Sequence, residues 1–186
     1  MGDSMSSVVI SGDTSGAITL AAPSVAGTNT ITLPASTGTV MVSGNMPAFS
    51  YYQTSGTSLS NNTNTKVLFD TKDFDTNNLV SSSRFTPNIA GYYIICWAVG
   101  IPNQAGGTGE INAELYKNGS FYKFGTDQQT STSPNHFLSS TGSSIVYLNG
   151  STDYLEVYCY QNSGASVTTN TGIGWTYFNG VMVRSA

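Results

Sequence analysis

Gly91-Tyr92-Tyr93-Ile94-Ile95-Cys96-Trp97-Ala98-Val99 carries no charged side chain over its whole length. A short run rich in aromatic and β-branched residues, opened by glycine, reads as a β-strand covered on both faces. Downstream, Ile111 to Tyr116 alternates apolar and polar and ends at Lys117-Asn118-Gly119-Ser120, where Asn-Gly is the strongest local signal for a two-residue hairpin. Phe121-Tyr122-Lys123-Phe124 returns from that turn. Ser144–Leu148 leads to Asn149-Gly150, and Tyr154–Tyr160 follows. Gly174–Phe178 and Val181-Met182-Val183 close the chain, with Asn179-Gly180 read as the turn between them. Upstream, Lys66-Val67-Leu68-Phe69 reads as one more short strand. No window sustains a helical period. Roughly eight to ten strands over about 140 residues fit a sandwich or jelly roll.

Composition agrees. Of 186 residues only 9% are charged, against 39% hydrophobic and 11% aromatic. Ser, Thr, Asn and Gly replace the missing charges, and their short polar side chains compete with helical backbone bonds and favour turns and strand surfaces. That much ring surface seeks burial, which excludes an ordinary disordered linker. The formal charge is −4 and the six Lys and Arg form no cluster, so a phosphate-neutralising nucleic-acid surface is not expected. Nothing resembles a membrane-spanning apolar run or a secretory signal peptide, which points to synthesis in a cytoplasm without export. Cys96 and Cys159 sit in apolar strands and read as buried free thiols, with a disulfide left open as the alternative.

Residues 1–45 have a different texture, with no aromatic residue and no Lys or Arg. Gly16-Ala17-Ile18-Thr19-Leu20 is echoed by Asn29-Thr30-Ile31-Thr32-Leu33, each followed by proline (Pro23, Pro34) and a glycine-containing turn. Such segments read as β. They cannot build a core alone, because ordering each residue costs roughly 1–2 kcal/mol. Burying Ile18, Leu20, Ile31 and Leu33 against copies in other chains supplies the missing stabilisation, at roughly 1.5–3 kcal/mol per large side chain. The regular spacing argues against a floppy leader. From Met46 the aromatic, strand-rich texture begins, so the expected division is an anchor or stalk over 1–45 and a head over 46–186.

The order of the head's motifs resembles a known family. Phe85-Thr86-Pro87-Asn88-Ile89-Ala90-Gly91-Tyr92-Tyr93-Ile94-Ile95, then Leu115-Tyr116-Lys117-Asn118-Gly119, then Val146-Tyr147-Leu148 with Gly150 and Asp153-Tyr154-Leu155-Glu156-Val157, and last Phe178-Asn179-Gly180-Val181-Met182-Val183 are similar to successive segments of the complement globular-head and tumour-necrosis-factor superfamily. The resemblance covers roughly residues 48–186. It implies a ten-stranded jelly roll that assembles as a three-fold bell, a homotrimer with aromatic surface at its axis. The stretch from Ser11 to Val40 looks like leader segments of tailed-phage fibre and virion proteins, in which three chains run together as attachment or stalk elements.

Candidates for chemistry are few. His136 is the single histidine, and no Gly-x-Ser-x-Gly elbow accompanies it. Asp70, Asp73 and Asp75 are the best metal candidates, oxygen ligands that a calcium ion accepts. They lack the glycine and terminal Glu of an EF-hand loop, and a solvated turn is the competing reading. Glu110 and Glu114 stand about 13 Å apart by strand rise, beyond the usual reach of a glycosidase pair. Tyr160, Trp175, Tyr177 and His136, with Tyr158, Gln128, Gln129, Asn135 and Asn162 nearby in sequence, form the candidate ligand surface. Rings stack on apolar sugar faces while amides satisfy hydroxyls. The competing reading has the tyrosines and tryptophans filling the core and a trimer seam.

The sequence therefore predicts a non-enzymatic virion structural protein of a phage. Its head presents loops to a host surface, with glycan as the expected partner, and its N-terminal segment docks on other virion proteins. A capsid decoration or head-fibre trimer that braces the shell is the alternative. Neither nucleic acid nor membrane is an expected partner, and no cofactor beyond the calcium candidate is expected.

Overall fold

A computed structural model describes residues 7–25, 27–32, 35, 37–38, 40–102, 109–129 and 137–186. The chain divides into two compact units, Met1–Gly38 and Thr39–Ala186. The first holds one antiparallel hairpin, β1 (Ser7–Ser11) and β2 (Ala17–Ala21). The β-branched run Val8-Val9-Ile10 favours extended backbone. Gly12 donates its amide to the Gly16 carbonyl at 3.0 Å, and Gly16 takes the left-handed conformation that closes the loop (φ 78°). The first Ile-Thr-Leu repeat is thus β2, but its partner lies upstream. Residues 29–32 of the second repeat carry no regular secondary structure, and Leu33 lies outside the described residues. A strand there would have met Pro34, which has no amide to give a ladder, whereas the glycine loop presents β1 to β2 directly.

The second unit contains β3 (Ala48–Tyr52), β4 (Ser58–Leu59), β5 (Thr65–Lys66), β6 (Thr71–Asp75), β7 (Val80–Ser81), β8 (Arg84–Phe85), β9 (Gly91–Pro102), β10 (Glu110–Lys117), β11 (Ser120–Gln129), β12 (Phe137–Leu148), β13 (Leu155–Gln161), β14 (Val167–Thr168) and β15 (Tyr177–Ser185). Five strands form one sheet in the order β12-β9-β15-β3-β6. The facing sheet runs β11-β10-β13-β8-β7, with β5 also on β13; β4 and β14 pair separately. Because β5 and β8 take successive stretches of the same β13 edge, each sheet has five strand positions, and the fold is the ten-stranded jelly-roll sandwich. The chain crosses between sheets after β9 and after β12.

The core lies between the sheets. Phe49 stacks on Phe85 at 4.3 Å and meets Phe178 edge-on at 5.0 Å. Tyr93 joins them and donates its hydroxyl to the Ile89 carbonyl at 2.7 Å, and burial pushes its pKa up to about 12. The Trp97 Nε1–H reaches across to the Ala113 carbonyl at 3.2 Å, tying β9 to β10. Gly142 stands opposite Trp97, and a Cβ there would collide with the indole.

Three local readings need correction. Asn179-Gly180 is no turn: both residues lie inside β15, where Gly180 leaves room for Phe49 and Ile95 across its backbone. Val67 and Phe69 are core residues, but they follow β5 rather than form a strand of Lys66–Phe69. Only half of the decisive run is covered on both faces. Trp97 to Ile101 is buried, whereas Tyr92 and Ile94 alternate outward into solvent. Cys96 and Cys159 are free thiols, Cys159 buried in the core and Cys96 half-buried on the outer face of β9.

Candidate functional site

The outer face of the five-stranded sheet carries exposed apolar side chains from several strands. The registers place Ile145, Ile94, Val181 and Ala48 in one row across β12, β9, β15 and β3. The next row is Ser143, Cys96, Asn179, Ser50 and Phe74. At the edge of the same face Tyr92 and Tyr147 pack at 5.5 Å, and the Arg184 guanidinium lies 5.0 Å from the Tyr92 ring. Ile145, Ile94, Val181 and Phe74 are 62%, 39%, 41% and 47% exposed, where a sheet face in water would ordinarily carry polar side chains. A shallow groove runs between Phe74, Ile94, Cys96 and Val181. Contiguous apolar surface of this kind marks an interaction face.

A second feature lies at one end of the sandwich. The Phe137 and Trp175 rings pack at 5.0 Å, both partly exposed, with Ile173 exposed nearby in the same turn. Gly100 permits this, since a Cβ there would press on the Trp175 ring and on Asn170. Ala48 pairs with Val181 and Tyr52 with Tyr177, so β3 advances toward the Trp175 end. The chain enters the sandwich at Pro47–Ala48, whereas Trp175 sits in the turn before Tyr177, which is four strand residues and about 13 Å from Val181, the partner of Ala48.

The outer face of the other sheet is acidic and aromatic. Asn64, Glu110, Asn112, Glu114, Asp127 and Tyr160, with Phe124, line an open groove. Burial pushes Glu114 above the ordinary glutamate range, and its carboxylate accepts from Asn64 Nδ2 at 3.0 Å. The Asn112 Oδ1 is buried without a hydrogen-bond partner among the described residues. Next along the sheet Tyr116 stacks on Tyr158 at 4.1 Å. The reading from sequence measured Glu110 and Glu114 only against each other. Asp127 reaches them because β11 pairs with β10, opposite Asn112, and the alternation Glu110, Asn112, Glu114, Tyr116 was the signal for a shared face.

The expected ligand residues do not form one surface. Tyr160 faces out from β13, and its hydroxyl lies 3.2 Å from Asn62 Oδ1. Tyr177 faces out from β15 on the opposite side of the sandwich, beside Cys96, Thr126 and Thr141. Trp175 is at the end, and His136 lies outside the described residues. The partner of Trp175 is Phe137, which sequence reasoning passed over because nothing local ties the two. The three aspartates are likewise spread. Asp70 accepts the amides of Thr54 and Ser55 at 2.7 Å each, and these bonds hold its carboxyl at about 2 although desolvation works against them. Asp75 accepts the amides of Leu79 and Val80 at 3.0 and 2.9 Å. Asp73 is exposed on β6, a strand and not the solvated turn weighed from sequence. Among the described residues no three acidic, histidine or cysteine side chains gather as a metal site. In the first unit Ile18, Leu20 and Ile31 are all exposed.

No protein-family model matches this sequence, and no curated protein matches it either. Solved structures do. The globular domain of zebrafish complement 1qA protein is 16% identical with a TM-score of 0.51, covering 75% of this chain and 99% of that one. Eiger TNF from S. frugiperda is 14% identical with a TM-score of 0.56, over 76% and 93% of the two chains. Murine APRIL at pH 5.0 is 11% identical with a TM-score of 0.56, over 74% and 99%. Identities this low speak to fold alone, and the fold is the jelly roll of the complement globular-head and tumour-necrosis-factor type.

Proposed function

We propose that the chain is a non-catalytic structural protein of a phage virion, a homotrimer whose head displays the Phe137–Trp175 end to a host surface. The observation that carries this reading is the polarity of the head. The chain enters at Pro47–Ala48, and the exposed aromatic pair sits at the opposite end. Support for three copies is the open sheet face carrying Ile145, Ile94, Val181 and Phe74, which a single chain leaves in water. Support for a virion comes from the leader-like stretch Ser11–Val40, which docks on other virion proteins in this reading. Aromatic rings at the far end suit the apolar faces of host glycans. Assembly then takes place in the host cytoplasm, with no nucleic acid or membrane as partner.

The decoration reading is favoured by a different observation: Tyr160, Trp175 and Tyr177 stand on three separate surfaces, so they do not form a single sugar site. The test has two steps. Native light scattering of the full chain is expected to give three times 19.6 kDa, and a stable monomer overturns the trimer. Binding of that trimer to an array of bacterial surface glycans, abolished by Trp175→Ala, supports attachment. A trimer that binds no glycan leaves the decoration role.

A further inference from the structure

We propose that the β1–β2 hairpin is a self-association surface whose occupant is the same hairpin of two further copies of this chain, packed through Val8, Ile10, Ile18 and Leu20. The register sets Val8 opposite Leu20 and Ile10 opposite Ile18. Strand pleating therefore puts these four aliphatic side chains on one face, with Val9 and Thr19 on the other. All four are more than half exposed. Val8 and Ile10 share the face with the first repeat, whereas Ile31 lies outside the hairpin.

A two-stranded hairpin with both faces in water is marginal, and among the described residues no third strand joins this one. Whatever covers it must be apolar and uncharged. The only charge in the hairpin is Asp13, in the turn, and residues 1–45 contain no Lys or Arg. No like charge on the face repels a second copy, and no charge there recruits an acidic or basic partner. A second copy of the face can therefore lie against it without burying a charge. The inference rests on the homotrimer reading for the number of copies. Three chains held by their heads would meet at an effective concentration of about millimolar, so a face too weak to associate at dilution closes within the assembly.

Single cysteines test the pairing in the full-length chain carrying Cys96→Ser. One variant is Ile10→Cys and the other Val9→Cys, on opposite faces of the same strand. Mild oxidation at high dilution is followed on denaturing gels, with native mass measured in parallel. A trimeric mass with Ile10→Cys linking at least about tenfold faster than Val9→Cys is expected. A trimeric mass with equal or no linkage overturns the hairpin pairing and leaves the trimeric head standing; a monomeric mass overturns both. Amide exchange at Val8 and Leu20, whose amides bond across the hairpin, is the second readout, free of any new cysteine. Protection in the unaltered trimer, lost in Ile18→Ser, is expected. Protection that appears only on adding phage particles assigns the face to another virion protein and overturns the inference.

Discussion

Glu114 and Glu156 lie on adjacent strands of one sheet face, Glu156 paired with Tyr116 two residues along from Glu114, and only Glu156 has cations beside it. They are 5% and 2% exposed. Burial alone would raise both. At Glu156, Lys66 Nζ at 2.6 Å and Arg84 Nε at 2.9 Å more than offset the desolvation and hold the carboxyl below the ordinary glutamate range. Glu114 has the Asn64 amide and stays above that range.

The two carboxyls therefore give opposite pH dependences. The Glu156 contribution is present above the ordinary glutamate range and is lost as pH falls through its lowered pKa. The Glu114 penalty is absent in acid, grows as pH rises from the ordinary range, and is complete above its raised pKa. Glu156→Gln should cost about 1–3 kcal/mol at neutral pH, nearer the lower figure because Arg84 is half exposed, and the loss should shrink in acid. Glu114→Gln should stabilise at pH values above that raised pKa and change little in acid. Urea midpoints across pH check both, and parallel profiles for the two variants would refute the assignment.

Gly142 exists for Trp97. The indole occupies the space a Cβ at Gly142 would need, and its Nε1–H is held by the Ala113 carbonyl on the opposite sheet. Gly142→Ala should cost about 2–3 kcal/mol through overpacking, seen as a lower urea midpoint and an altered tryptophan fluorescence. A substitution that leaves both unchanged would show that the indole has room to move.

Much of this fold is legible in residue order. Asn118-Gly119 forms the predicted hairpin because both residues take positive φ (54° and 76°), and the β9 run announces a central strand. Asn179-Gly180 carries the same letters in mid-strand, since its glycine answers to Phe49 and Ile95 from two neighbouring strands. Such contacts are invisible to a local reading. The candidate surfaces depend still more on register. Phe137 meets Trp175, and Asp127 meets Glu110 and Glu114, only through strand pairings between distant segments. The aspartates show the converse: Asp70 and Asp75 look like metal ligands in sequence, yet backbone amides take up their oxygens.

The open sheet face predicts a specific failure of assembly. Val181 is exposed in the single chain and sits in the row with Ile94 and Ile145. Val181→Glu should change the stability of one chain by no more than about 0.5 kcal/mol, as for an exposed site. In an assembled trimer the same change buries a charge without a partner. The native mass should fall from three times 19.6 kDa to 19.6 kDa while the circular dichroism stays β-rich. A variant that remains trimeric would place the interface elsewhere.

Cys96 reports on the same face without disturbing it. Its thiol lies half-buried in the row with Ser143 and Asn179, whereas Cys159 is enclosed in the core and burial raises its pKa far above the thiol range. The thiolate is the reactive form, so Cys159 should stay unlabelled by maleimide until the chain unfolds. Cys96 should be blocked in the trimer and should react in the Val181→Glu monomer. Labelling of one thiol per chain in the monomer and none in the trimer would locate the seam on β9. Equal labelling of Cys96 in both forms would show that the five-stranded face stays open in the assembly, and the search for the contact would move to the Phe121–Phe124 edge of β11.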